Sequence, residues 1–125
     1  MFIYFNPNPE RRTTTDCVIR AICKVTGYDW ERVYVGVCLQ GLLLHDMPEL
    51  NHVWSTYLYH QGFIRTPVPN TCPYCYTVRD FCEDHPTGVF LLALNNHVVA
   101  VEDGNYFDNW DSGDETVLFY WEREW

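Results

Sequence analysis

The apolar positions of this chain change their rhythm part-way along. Val18, Ile19, Ile22 and Val25 recur at helical spacing, with Asp16 before them as an N-cap candidate and Gly27 just past Thr26 as a terminator. A second helix is expected from about Asp29 through WERVYVGVCLQ, although its β-branched residues weaken the propensity. A third is expected after Asp46 through ELNHVWSTYLYHQ, with Pro48 early in the helix and Gly62 beyond its end. Residues 64–76 carry Pro67, Pro69 and Pro73 and read as loop. A short helix then opens at Thr77, where Asp80 completes a capping-box pattern, and it ends at Pro86 and Gly88. From there the pattern turns to short apolar runs, VFLLAL, HVVAVE, NYFDNW and TVLFYW, joined by Asp103-Gly104 and by DSGDE. Helices first and strands afterwards predict an α+β fold, N-terminal helices packed on a C-terminal antiparallel β-sheet. No linker or repeat divides residues 1–125, so one domain is expected.

Composition narrows the function classes. A hydrophobic content of 47% over 125 residues is enough for a packed core. The formal charge of −9 argues against nucleic acid or an anionic membrane as partner, because nothing would neutralise the phosphates. The opening MFIYFNPNPERR lacks the basic start and apolar centre of a secretory leader, and no run approaches the roughly 18 apolar residues of a membrane span. A cytoplasmic location is therefore expected, and with it six cysteines that serve as thiols, metal ligands or catalytic groups rather than structural disulfides.

Cys17 opens the first helix. Free N–H groups and the helix dipole at that point favour a thiolate, and the backbone N–H of Cys17 is placed to face an oxyanion. A buried cysteine packed like alanine is the commoner fate of the residue type, so a partner is needed. His97, at the mouth of HVVAVE, is the candidate base. Asp103-Gly104 is a strong two-residue hairpin turn. If it forms, Glu102 faces Asn105, Val99 faces Asp108 and His97 faces Trp110. Asp108 then shares the face of His97 on the diagonal, within reach of its ring, and Asn109 points the other way. A three-residue turn would instead favour Asn109 or Asp111. A thiol, an imidazole and an acid in these roles make a nucleophile, a base and an orienter.

The order Cys17, His97, Asp108, with the thiol on an N-terminal helix and the other two on a late hairpin, resembles the papain-like cysteine peptidases. The nearest look-alike segment is NNHVVAVEDGNYFDNWDSG, similar to the papain-type stretch with His on one strand and, on the next, Asn or Asp followed one residue later by Trp. Bacteriocin-processing relatives of that fold use Asp. The resemblance spans mainly residues 13–27 and 88–113, about a third of the chain. It implies Cys17 as nucleophile, His97 as general base and acid, Asp108 as orienter, Trp110 as a shield over their contact, and a peptide or protein substrate with no cofactor. The fold also hosts deubiquitinating, deamidating and acyl-transferring enzymes. The family's usual oxyanion Gln is missing ahead of Cys17, where the chain reads NPNPERRTTTD. Asn6, Asn8, Arg12, the threonines or backbone alone would have to serve.

A rival motif is Cys72-Pro73-Tyr74-Cys75. A glutaredoxin-type site needs a preceding strand and a long following helix. Here a proline-rich loop precedes it and the next helix is short. Cys72, Cys75, Cys82 and His85 also stand at a C-x2-C-x6-C-x2-H spacing, with Cys82 and His85 on one helix face, which would suit a structural zinc. Small packed thiols and a helix-end His are the plainer reading, and no metal is expected. Arg20 would support the thiolate or pair with an acid elsewhere. His45, His52 and His60 read as surface or packing residues, Trp121 and Trp125 as core and edge contacts, and DNWDSGDE as a solvated loop. The expected function is a papain-like thiol hydrolase or acyl-transfer enzyme. The alternative is a non-catalytic protein-interaction module, with or without zinc at the Cys72 cluster.

Overall fold

A computed structural model describes residues 1–123, so Trp125 lies outside the described residues. The fold is α+β, with four helices and a six-stranded mixed sheet. In chain order the elements are β1 (Phe2–Tyr4), α1 (Cys17–Thr26), α2 (Trp30–Leu44), α3 (Asn51–His60), β2 (Phe63–Pro67), α4 (Val78–Asp84), β3 (Val89–Leu94), β4 (His97–Glu102), β5 (Asn105–Asp108) and β6 (Phe119–Arg123). The sheet order is β1-β5-β4-β3-β6-β2. No helix among the described residues is long and apolar enough to cross a membrane.

The sheet departs from the expected antiparallel meander at both edges. β1 joins in parallel to β5, pairing Phe2 with Tyr106 and Tyr4 with Asp108. β6 returns beside β3, and β2 pairs with β6 from Phe63 against Arg123 to Pro67 against Phe119. The segment expected to be loop from residue 64 therefore begins as an edge strand. Pro67 fits there because it ends the strand, where no further ladder hydrogen bond is required of it. NYFDNW is strand only through Asp108, and the strand expected over TVLFYW is shifted to Phe119–Arg123. Asp103 and Gly104 both have positive φ, 50° and 79°, and Glu102 pairs with Asn105, so the two-residue turn forms as expected.

The continuous apolar runs of β3 and β4 are explained by burial on both sheet faces. Leu91, Ala93, Val98 and Ala100 pack with Ile22 of α1, Val37 of α2 and Trp54 of α3. Phe90, Leu92, Val99 and Val101 pack with Phe81 of α4. The α4 capping box is complete, since Thr77 Oγ1 accepts from Asp80 N at 3.2 Å and Asp80 returns the bond to Thr77 N at 3.0 Å. Replacing Thr77 with Ala should lower stability by about 1 kcal/mol, read as a shift in the urea midpoint. α3 begins at Asn51, so Pro48 lies before the helix, not within it.

Candidate active site

α1 ends as expected at Gly27, which adopts a left-handed φ of 78°. Its start holds a surprise. Asp16 occupies the N-cap position but makes no side-chain cap. Its carboxylate turns instead to the Arg20 guanidinium at 2.5 Å and to Trp30 Nε1 at 2.9 Å. The first-turn N–H groups, including that of Cys17, are thus left without a side-chain acceptor, as an anion-binding helix end requires.

Cys17, half-buried, and His97 line one cleft of about 850 Å³ between α1, α2, the approach to α3 and the β3–β4 turn. Its walls include Tyr34, Leu50, Trp54 and Leu118. His97 Nε2 meets Asp108 Oδ2 at 2.6 Å. That contact assigns the other ring nitrogen, Nδ1, to the thiol side. Burial by itself would lower the His97 pKa, but the hydrogen bond and charge of Asp108, reinforced by Cys17, outweigh it and lift the value to about 9. The Trp110 ring, just past the end of β5, lies 4.8 Å from the imidazole, centroid to centroid.

Asp108 is wholly buried, on a strand held between β4 and β1. Every partner of its carboxylate is a donor. Oδ2 accepts from His97 and from Ser112 Oγ at 2.7 Å, and Oδ1 accepts from Arg20 Nη2 at 2.9 Å and from Asn109 N at 2.8 Å. Burial alone would raise its pKa, yet His97, Ser112 and Arg20 together hold it below the ordinary aspartate value. Arg20, only 3% exposed, bridges Asp16 and Asp108 and so couples the start of α1 to β5.

The structure brings together Cys17, His97, Asp108 and Trp110. It adds Asp16 and Ser112, and Arg20 takes the second of its two expected roles by pairing with acids. The Asp16–Arg20 spacing of four residues on a helix was the available signal for one half of that bridge. Ser112 gave none, and its burial corrects the reading of DNWDSGDE as a solvated loop. Of the oxyanion donors considered before Cys17, Thr15 lines the cleft, whereas Asn6 donates to the Arg12 carbonyl and Asn8 Oδ1 accepts backbone N–H groups of its own loop. Asn95 and Asn96 also line the cleft.

The four residues considered for zinc are not gathered at one point. Among the described residues no three His, Cys, Asp or Glu side chains gather closely enough to hold a metal ion. His85 instead stacks on Phe81 at 3.8 Å, and Cys82 is buried in the core under α4. Cys23 is likewise a packed thiol, pushed up to about 12 by burial. His45, His52 and His60 are exposed. No family model, curated protein or solved structure matches this chain.

Proposed function

We propose that the protein is a papain-like thiol hydrolase or acyl-transfer enzyme acting on a peptide or protein substrate. One observation carries the reading: a thiol at an uncapped helix N-terminus faces an imidazole whose far nitrogen is fixed by a buried, fully hydrogen-bonded carboxylate. In the proposed reaction His97 takes the proton of Cys17, and the sulfur attacks the substrate carbonyl. The first-turn N–H groups of α1, with Thr15 or Asn95 as side-chain donors, hold the oxyanion. His97 then protonates the leaving group and activates water, or an acceptor nucleophile, for release of the acyl group. Asp108 keeps the ring in its tautomer, and Trp110 keeps water from their hydrogen bond. The apolar cleft walls would receive the part of the substrate next to the reacting bond.

The test is the pH dependence of iodoacetamide labelling, resolved cysteine by cysteine by peptide mass spectrometry. Cys17 should label rapidly near about pH 6, where an ordinary thiol of pKa about 8.5 is almost wholly protonated. His97→Ala should remove that advantage. Labelling of Cys17 no faster than Cys38, or indifferent to His97, would end the enzyme reading. It would favour the interaction module, for which α2 offers the exposed apolar side chains Val35, Leu39, Leu42 and Leu43.

A further inference from the structure

A second pair of thiols lies outside the cleft and takes no part in the chemistry above. Cys72 and Cys75 sit in the connection between β2 and α4, and their sulfurs are 2.9 Å apart. The local backbone holds them there. Asn70 Oδ1 accepts from Cys72 N at 3.0 Å, and a turn closes from Tyr74 N to the Thr71 carbonyl at 3.0 Å. The Thr71 hydroxyl donates to the Tyr74 carbonyl across the same turn. The loop is tied to the body of the protein on both sides, by Val68 N to the Leu118 carbonyl and by Val117 N to the Tyr76 carbonyl. A small reagent can reach the pair, since Cys72 is exposed and Tyr74 at the tip is 86% exposed. Cys23 and Cys82, by contrast, are packed in the two core clusters.

The two sulfurs are not equivalent. The contact between the two thiols lowers the pKa of Cys75. The same contact raises that of Cys72, whichever sulfur carries the shared proton. Such an asymmetric pair has one attacking and one resolving thiol. Among the described residues no third His, Cys, Asp or Glu side chain joins the two sulfurs in a metal-ligating group.

We propose that Cys72 and Cys75 form a reversible redox dithiol that exchanges with low-molecular-weight disulfides, with Cys75 as the point of entry. The Cys75 thiolate attacks one sulfur of the disulfide, forming a mixed disulfide and expelling the first small thiolate. The Cys72 sulfur then attacks Cys75 Sγ, closing the Cys72–Cys75 disulfide and expelling the second. The two protons of the protein thiols end on the two small thiols. Two electrons pass from the dithiol to the small disulfide, and the reverse sequence restores the dithiol. The proposal needs neither Cys17 nor His97, so it stands or falls apart from the thiol-hydrolase reading.

The full chain would be equilibrated with glutathione disulfide and glutathione, quenched in acid and mapped by mass spectrometry. The wild type should yield a peptide carrying the Cys72–Cys75 link, reversed by excess glutathione. Cys72→Ser should instead accumulate a glutathione adduct on Cys75. A wild-type pair that stays reduced while Cys38 is modified would overturn the proposal. So would protection of both sulfurs that a chelator relieves, which would assign them to a metal shared between chains. The wild-type mapping decides the matter even if a variant fails to fold.

Discussion

Arg20→Leu should destabilise the protein by about 3–5 kcal/mol, the largest loss expected of any single substitution at the site. The guanidinium is 3% exposed and joins Asp16 at 2.5 Å to Asp108 at 2.9 Å. Leucine fills similar space but leaves two carboxylates near the site with fewer donors, one of them wholly buried. The cost is that of stranding charge rather than of losing a favourable pair, and this has a checkable consequence. Adding Asp108→Asn to Arg20→Leu removes one stranded charge and should recover part of the stability, so the two effects should not add. The pH dependence has a definite sign. The Asp108 carboxyl is held below its ordinary value of 3.8, so its interactions contribute stability above that value and lose it as pH falls through the lower folded value. The difference in urea midpoint between wild type and Arg20→Leu should be widest near neutrality and shrink below about pH 4. An equal difference at both pH values would mean that Arg20 acts through packing of its stem alone.

The parts of the molecule that local rules govern were readable before the structure. Asp103-Gly104 dictated a two-residue turn, and that turn alone decided that Asp108 and not Asn109 would meet His97. Thr77 with Asp80 and Gly27 likewise marked helix ends that form as the pattern requires. What escaped notice depends on partners distant in sequence. β1 is three residues long and is strand only because β5 offers it an edge. β2 is hidden by Pro67 at its end and the prolines beyond, and a terminal proline matters little on a strand at the sheet's rim.

The same distinction applies within the site. Cys17, His97 and Asp108 were legible because each carries its own local signal, a helix start, a strand start and a hairpin register. Ser112 was not, because its role exists only once β5 and the turn after it are packed together, and for Arg20 the pairing with an acid was expected but not which acid. Asp16 shows how tertiary contacts override a local rule. Its position suits a cap, but a buried arginine and an indole N–H compete for the same oxygens and win. The outcome leaves the helix end open beside the thiol. A residue that failed its local expectation is thus the one that frees the backbone donors the proposed chemistry would use.

Asp108→Asn should lower the pKa of the His97 ring from about 9 toward its ordinary 6.5, the second large effect expected. Asparagine is nearly the same size, so a mild outcome is the simple expectation. The hydrogen bonds argue otherwise. Four donors converge on the two Asp108 oxygens, two on each. An amide offers one acceptor oxygen, and its NH₂ group must then confront either Arg20 and the Asn109 N–H or His97 and Ser112. Held by the Arg20 charge, the oxygen should stay with Arg20, and the NH₂ should face His97. The ring would lose both the negative charge and its acceptor. The sign for stability follows. Because the folded pKa of His97 lies above 6.5, its protonation contributes stability fully below that pH, and the contribution is lost as pH rises through about 9. Wild-type stability should therefore decline between those limits, and the slope should flatten in Asp108→Asn. The ring can be followed directly by its NMR titration, and Cys17 labelling near about pH 6 should fall at least about tenfold alongside it. If His97 in the variant still titrates near 9, the carboxylate is not what holds its proton, and Asp108 is a structural anchor for Arg20 instead of the orienter of the base.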